Sequence, residues 1–158
     1  MLKQAVSLAD LSPGDRVVDL FCGAGNFTLA FAAAGAEVSG FEGDAALCEQ
    51  GRANAKRLGY EHLCFTEVDL FDAAACSKID MEQTDLVVLD PPRAGAEAVV
   101  PSLLDAKPAK ILYVSCHPAT MLRDIQALSS GYRVEQVGVM DMFPQTTHLE
   151  SMALLVRR

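Results

Sequence analysis

The sequence is poor in positive charge, with 13 Lys and Arg residues against 21 Asp and Glu residues and a net charge of −8. Sequence-independent affinity for nucleic acid comes from cations that neutralise phosphates, so this balance argues against a general nucleic-acid binder. An acidic domain can still act on RNA through a small basic patch, or through basic surface on a partner or another domain. The candidates for such a patch are Arg93, Arg123, Arg157 and Arg158.

Long apolar runs and paired cysteines are also missing. No apolar run approaches the ~20 residues of a membrane helix, and the first residues lack the basic-then-apolar pattern of a signal peptide. None of the five cysteines is spaced from another by two residues, as zinc and redox motifs require. We therefore expect a cytoplasmic chain with reduced thiols, no metal and no membrane contact, folded as one domain.

Apolar segments of strand length alternate with helix-like segments along the whole chain. This alternation predicts an α/β fold, a mostly parallel sheet with helices on both faces. The predicted strands are 16–20, 37–42, 63–68, 85–89, 110–115, 133–139 and 148–156. The predicted helices are 1–10, 26–34, 44–58, 95–106 and 118–129, with a loop and short helix over 70–82. No helix separates the last two strands, so we expect them to pair as an antiparallel hairpin at the sheet edge.

The stretch 19–26, Asp-Leu-Phe-Cys-Gly-Ala-Gly-Asn, joins the first predicted strand to a helix. Gly23 and Gly25 allow the backbone to approach a ligand, and the helix start supplies free N–H groups. A dinucleotide motif needs a third glycine where this chain has Thr28, which disfavours NAD. The next strand ends at Glu42, which is placed to bind two ribose hydroxyls. Together these features point to S-adenosylmethionine as the cofactor.

Five predicted strands end at or next to a polar or nucleophilic residue. In open α/β sheets the ligand lies outside the carboxyl ends of the strands, so these residues are expected to meet around one site. They are Asp19, Glu42, Asp69, Asp90 and Cys116.

The tetrapeptide Asp90-Pro91-Pro92-Arg93 has three interpretations. It is a rigid turn, since two prolines cannot continue a strand ladder. It is also similar to a tetrapeptide of amino-group methyltransferases that ends in a base-stacking aromatic, which Arg93 replaces here. The position after a strand favours the third interpretation, contact with cofactor or substrate.

Cys116 ends the fifth predicted strand, just before a helix whose dipole and free N–H groups favour a thiolate. The alternative is a small buried apolar residue, which we expect for Cys48, Cys64 and Cys76 and for Cys22 beside the cofactor. For Cys116, the position at a strand end and a helix start favours a nucleophile.

Glu150 stands at the start of the last predicted strand. A carboxylate in an apolar strand is costly unless it is partnered or used, although an outward-facing side chain is the simpler alternative. His148, which titrates near neutrality, and Asp141 are rival bases, and the residues alone leave the choice even.

Four segments, 19–27, 90–95, 113–120 and 141–152, resemble the bacterial RNA 5-methyluridine methyltransferases, of the type that acts on 23S ribosomal RNA. The resemblance implies the class I S-adenosylmethionine-dependent methyltransferase fold, a Rossmann-like sheet of seven strands, mostly parallel, with an antiparallel last strand. It also implies methyl transfer to C5 of a uridine in RNA, with ribosomal RNA as the expected partner and transfer RNA as the alternative. Residues 1–158 would then be the catalytic domain, without the RNA-binding and central domains of longer relatives.

The resemblance makes Cys116 the nucleophile and Glu150 the general base, ahead of His148. The residues expected to bind the cofactor are Asp19, Phe21, Gly23, Gly25, Asn26, Glu42, Asp69 and Asp90. Those expected to contact the substrate are Pro91, Arg93 and His148. Two alternatives stay open, an amino-group methyltransferase in which Cys116 is structural, and a non-catalytic fragment that binds the cofactor but needs further domains.

Overall fold

The computed structural model describes residues 1–140, without the side chain of Met140, and residues 150–158. The strands are Arg16–Leu20 (β1), Glu37–Glu42 (β2), Cys64–Glu67 (β3), Leu86–Leu89 (β4), Lys110–Ser115 (β5), Tyr132–Met140 (β6) and Glu150–Arg157 (β7). The helices are Leu2–Ala9 (α1), Asn26–Ala33 (α2), Ala45–Arg57 (α3), Ala73–Cys76 (α4), Val100–Ala106 (α5) and Pro118–Leu128 (α6). None of these helices is long and apolar enough to cross a membrane.

The seven strands form one sheet in the order β3-β2-β1-β4-β5-β7-β6. Strands β1 to β5 are parallel, and β7 runs antiparallel to both β5 and β6. The predicted α/β fold with an antiparallel last strand is therefore confirmed. The predicted hairpin also forms, with β6 as the edge strand and β7 inserted beside β5.

The sheet separates two apolar cores. The core on what we call the α2 face is built from α1, α2 and α3 against strand residues that include Val17, Val88, Val114 and Leu154. The core on the opposite face is built from α4, α5 and α6 against alternate residues of the same strands. The central strand β4 is buried at every position, as expected for a parallel strand that is covered on both faces.

Two predictions about local structure are wrong. The helix predicted over 95–106 begins as a 3₁₀ turn at Glu97–Val99, and α-helix starts only at Val100. Cys64, predicted to be buried, is exposed. It lies on the short edge strand β3, where only the side chain of Phe65 faces the core.

Candidate functional site

Five of the predicted site residues lie at the carboxyl ends of the parallel strands, and three of them share one face of the sheet. Alternate residues of a strand point to the same face, so residues two or four positions away from a core residue keep its direction. Such steps from Val17, Val38 and Leu154 of the α2-face core lead to Asp19, Glu42 and Glu150, while Asp90 and Cys116 directly follow β4 and β5. Because β7 is antiparallel to β5, its first residue, Glu150, lies at the end of the sheet where the parallel strands finish.

The loop that follows β1, residues 21–25, has an unusual backbone. Phe21, Gly23 and Gly25 all have positive φ angles, of 62°, 55° and 87°. A Cβ on Gly23 would meet nothing within 4 Å, whereas a Cβ on Gly25 would lie 2.8 Å from the ring of Phe65. Gly23 therefore keeps open the space expected for a ligand, but Gly25 is required for packing inside the protein.

Glu42 connects this loop to the next helix. Its Oε2 accepts a hydrogen bond from the N–H of Gly23 at 2.9 Å, and its Oε1 accepts from the N–H groups of Gly43 at 2.8 Å and Asp44 at 3.1 Å. The side chain of Asp44 in turn caps α3. Three backbone donors thus fix the Glu42 carboxylate before any ligand arrives.

Asp19 is fully buried beneath the loop. Its Oδ2 accepts a hydrogen bond from the hydroxyl of Thr28 at 2.6 Å, while its Oδ1 has no partner. Burial, partly offset by the Thr28 hydrogen bond, raises the pKa of Asp19 to about 7. Sequence reasoning treated Thr28 only as a missing glycine and overlooked this role. A buried acceptor without a partner is the position that a donor from a ligand would complete.

A cleft of about 360 Å³ opens at this edge of the sheet. Its lining includes four of the predicted cofactor or substrate residues beyond Glu42, namely Phe21, Asp69, Asp90 and Pro91. The Phe71 ring also lines the cleft and packs against that of Phe21, with the ring centroids 5.7 Å apart. Asp19, Gly23, Gly25, Asn26, Arg93, Cys116 and Glu150 are not in the lining of this cleft.

Asp90 and Glu150 interact across the site. Burial raises the pKa of Asp90 to about 6, and the negative charge of Glu150 contributes to the increase. The two carboxylates therefore belong to one electrostatic environment, although they come from strands on either side of β5.

Cys116 lies next to Glu150 by strand register. In the β5–β7 pair, Val114 is opposite Met152 and Ser115 is opposite Ser151. Cys116 directly follows Ser115 and Glu150 directly precedes Ser151, so both residues adjoin the last pair of this ladder. Cys116 is half-buried, which distinguishes it from Cys22, Cys48 and Cys76, which are buried. Burial raises the pKa of those three thiols, so they remain protonated.

The four arginines of the predicted basic patch do not lie together. Arg93 is exposed on the loop after β4, and Arg123 is part of a hydrogen-bond network described below. Arg157 and Arg158 lie at the opposite end of the strands from the site, because β7 begins at the site and runs away from it. His148 and Asp141 lie outside the residues that the structure describes.

Sequence reasoning also missed Asp124, a buried carboxylate on α6. The sequence did contain a signal. Asp124 follows Met121 by three positions and precedes Leu128 by four, so it lies in the apolar phase of the helix, where a charged residue is costly unless it has partners.

Comparisons with known proteins identify the family to which the chain belongs. Residues 1–158 match the family described as tRNA (Uracil-5-)-methyltransferase. The chain is 45% identical to the 23S rRNA (uracil(1939)-C(5))-methyltransferase of Klebsiella pneumoniae, over 100% of this chain and 37% of that protein. It is 43% identical to the protein of the same name from Photobacterium angustum, over 99% of this chain and 72% of that protein. The chain thus spans about 37% of the length of the first of these relatives.

Solved structures show the same relationship. The Pyrococcus abyssi tRNA (uracil-54, C5)-methyltransferase, in complex with S-adenosyl-L-homocysteine, superposes with a TM-score of 0.84 at 32% identity, over 98% of this chain and 37% of that chain. TrmN from Thermus thermophilus, at 21% identity and a TM-score of 0.81, shares the fold. The match over the whole chain and the identity to these relatives lead to one conclusion: the chain belongs to the tRNA (uracil-5-)-methyltransferase family.

Proposed function

We propose that this chain transfers a methyl group from S-adenosylmethionine to C5 of a uridine in RNA, with 23S ribosomal RNA as the expected substrate. The observation that carries the proposal is the register of β5 and β7, whose last pair, Ser115 and Ser151, adjoins Cys116 and Glu150 at the strand ends that hold the cleft. Family membership and the substrates named for the relatives support the same reaction.

The residues at this edge fit S-adenosylmethionine. Glu42, which is held by three backbone N–H groups, suits the ribose hydroxyls, and Phe21 and Asp69 in the cleft suit the adenine. The unpartnered Oδ1 of Asp19 and the carboxylate of Asp90 suit donors and positive charge. Bound there, S-adenosylmethionine supplies a methyl group on a positively charged sulfur. Gly23, Gly25 and Asn26 form the turn that brings the backbone to it.

The chemistry assigned to this chain uses two side chains. The Cys116 thiolate adds to C6 of the uracil, and the electron pair of the C5–C6 double bond moves onto C5 and O4. C5 then attacks the methyl carbon, and the pair of the broken carbon–sulfur bond stays on sulfur, so that S-adenosyl-L-homocysteine is the leaving group. The Glu150 carboxylate then takes the proton from C5. The electron pair of that C–H bond restores the C5–C6 double bond and expels the thiolate, which regenerates the enzyme.

The uridine must leave any base stack to reach both side chains, so a flipped or single-stranded base is the substrate. Pro91 and Arg93 come one and three positions after Asp90. Together with His148, they are proposed to contact the RNA. Arg93 is exposed and suits a phosphate. With a net charge of −8, the chain is expected to bind RNA weakly without basic surface from elsewhere.

The test is methyl transfer by this chain from tritiated S-adenosylmethionine to two RNAs, a fragment of 23S ribosomal RNA and a transfer RNA transcript, followed by nucleoside analysis. We expect label in 5-methyluridine, with more from the ribosomal fragment. Label in a methylated amino group of adenine or guanine would overturn the proposal in favour of the amino-group alternative. Cofactor binding in calorimetry without transfer to either RNA would identify a binding module that needs further domains.

A further inference from the structure

The Asp124 carboxylate accepts hydrogen bonds from three parts of the chain, namely β5, α6 and the loop after β4. Its side chain is 1% exposed, and its Oδ2 accepts from the hydroxyl of Tyr113 on β5 and from the N–H of Ala96, both at 2.7 Å. Its Oδ1 accepts from Nε of Arg123 at 2.9 Å. The carboxylate therefore joins β5, α6 and the end of the loop that follows Asp90.

Arg123 makes a second connection to the same loop. Its Nη2 donates to the carbonyl of Ala94 at 3.0 Å and lies 2.7 Å from Oδ1 of Asp124, and its Nη1 lies 3.3 Å from Glu97. The hydrogen bond to Asp124 raises the pKa of Arg123 above its usual range. The side chain is 43% exposed, so a change there does not open the core.

Gly95 places the loop in direct contact with α6. A Cβ on Gly95 would lie 2.6 Å from Oδ2 of Asp124, 2.7 Å from Nη2 of Arg123 and 3.1 Å from Cβ of Thr120, and its φ is +83°. Every other residue type would push the loop away from the helix. We call residues 90–96 the motif loop.

We infer that Asp124 and Arg123 are positioning residues, which fix the motif loop against the helix that begins two residues after Cys116. At one end of the loop, Asp90 and Pro91 form a wall of the cleft, and at the other end Ala94 and Ala96 are held by α6. The network therefore sets the separation between that wall and the nucleophile. This inference rests on the methyl transfer proposed above, in which donor, base and thiolate must be aligned.

Alignment is the property that such a network controls. Displacement of a reacting group by about 1 Å can lower a rate by about 10²-fold even when binding survives. The contacts assigned to the cofactor come mainly from β1, β2 and the loop after β3, which the network does not touch. Loss of the network should therefore reduce kcat far more than it weakens cofactor binding.

The experiment compares four variants of the full chain. Arg123→Lys keeps the charge but removes the Nε bond and the planar contact to Ala94, and Asp124→Asn disrupts the bond to Arg123. Arg133→Lys is the matched control, because it makes the same exchange at an exposed arginine on β6, outside the motif loop and the Asp124 network. Glu97→Gln removes only the exposed ion pair.

We expect Arg123→Lys and Asp124→Asn to lower kcat by about 10- to 100-fold while KM for S-adenosylmethionine stays within about threefold. Arg133→Lys and Glu97→Gln should keep kcat within about twofold. Amide hydrogen exchange at Ala96 should accelerate in both Asp124→Asn and Arg123→Lys. The thermal midpoint of Arg123→Lys should stay unchanged.

Unchanged kcat in Arg123→Lys, with an active parent chain, would overturn the inference and leave the proposed function intact. If Asp124→Asn does not fold, Arg123→Lys alone decides, since Arg123 is half exposed. A parent chain that transfers no methyl group would contradict the proposed function. In that case unchanged exchange at Ala96 in Arg123→Lys would still overturn the positional role of the network.

Discussion

The two sides of the site are held in place by different means. We call the ends of β1, β2 and β3 the donor side, because the methyl donor is proposed to bind there, and the part that faces the RNA base the acceptor side. On the donor side, the Glu42 carboxylate is fixed by backbone N–H groups of Gly23, Gly43 and Asp44. On the acceptor side, formed by Asp90, Cys116 and Glu150, positions depend on strand register and on the Asp124 network. The donor side is thus organised by backbone N–H groups that hold one carboxylate, and the acceptor side by strand pairing and by side-chain hydrogen bonds between segments.

The largest difference between the sides should appear when the nucleophile is removed. Cys116→Ala is expected to lower methyl transfer by at least about 10³-fold, because the uracil C5 is no longer activated, while the dissociation constant for S-adenosylmethionine stays unchanged. Tritium transfer and calorimetry measure the two quantities. Cys64→Ala, at an exposed thiol away from the site, is the control and should keep full activity. Full activity of Cys116→Ala would favour the amino-group alternative.

Removing the base should stop the reaction at a later point on the acceptor side. Glu150→Gln is expected to lower turnover by about 10²- to 10⁴-fold, because the C5 proton is no longer removed. The thiolate then cannot leave, so a covalent protein–RNA species should accumulate as a slower band on a denaturing gel. A gel without that band, together with normal turnover, would assign the base to another residue.

A donor-side substitution should change cofactor affinity. Glu42→Gln places an amide N–H₂ among backbone donors and removes a charged acceptor. The change should weaken the binding free energy of the cofactor by about 1.5–3 kcal/mol. The dissociation constant for S-adenosylmethionine should rise by about 10- to 100-fold in calorimetry. Glu67→Gln, at the exposed end of β3, is the matched control. Equal affinity in the two variants would refute the role given to Glu42.

The two glycines of the donor loop should respond differently to alanine. Gly25→Ala adds a Cβ 2.8 Å from the Phe65 ring at a φ of 87°, so it is expected to destabilise the fold by about 2–4 kcal/mol. Gly23→Ala meets no protein atom within 4 Å, so its cost to stability should be about 1 kcal/mol, with a larger loss of cofactor affinity. Thermal unfolding and calorimetry separate the two effects, and equal losses of stability would contradict the geometry.

The last prediction concerns the pH dependence of stability. Asp19 has its pKa raised from 3.8 to about 7, so its contribution to stability is present at low pH and is lost as pH rises through 7. Asp19→Asn should flatten this decline and stabilise the fold at pH 8 by up to about 4 kcal/mol, since one pKa unit corresponds to about 1.4 kcal/mol. Thermal midpoints between pH 4 and pH 8 provide the measurement, with the exposed Asp105→Asn as control. A parent chain that becomes more stable across this range would contradict the assignment.

The donor side could largely be predicted from the sequence because its residues come directly after predicted strands. The glycine loop and Glu42 follow their strands directly, and apolar runs mark those strands. The separate roles of Gly23 and Gly25 could not be predicted, because the ring of Phe65 that occupies the space beside Gly25 lies 40 residues away in the chain. Cys64 was misplaced because nothing in its own segment shows that β3 is a sheet edge.

The acceptor side was harder to predict. Periodicity indicated the antiparallel hairpin but not that β7 is inserted between β5 and β6, which is what brings Glu150 beside Cys116. Residues alone left Glu150 and His148 equal as bases, and the preference for Glu150 came from the family resemblance. The apolar phase of α6 indicates that Asp124 is buried, but its partners on a strand and a loop are not revealed by any local pattern.

The most direct test of the account is to identify the cysteine that carries the RNA in the Glu150→Gln variant. After incubation with S-adenosylmethionine and RNA, nuclease and protease digestion followed by mass spectrometry should find a methylated uridine nucleotide on the peptide that contains Cys116. The chain has five cysteines, so the result discriminates among them. A nucleotide on another cysteine, or unmodified Cys116 in a protein that still methylates uridine, would contradict the central claim.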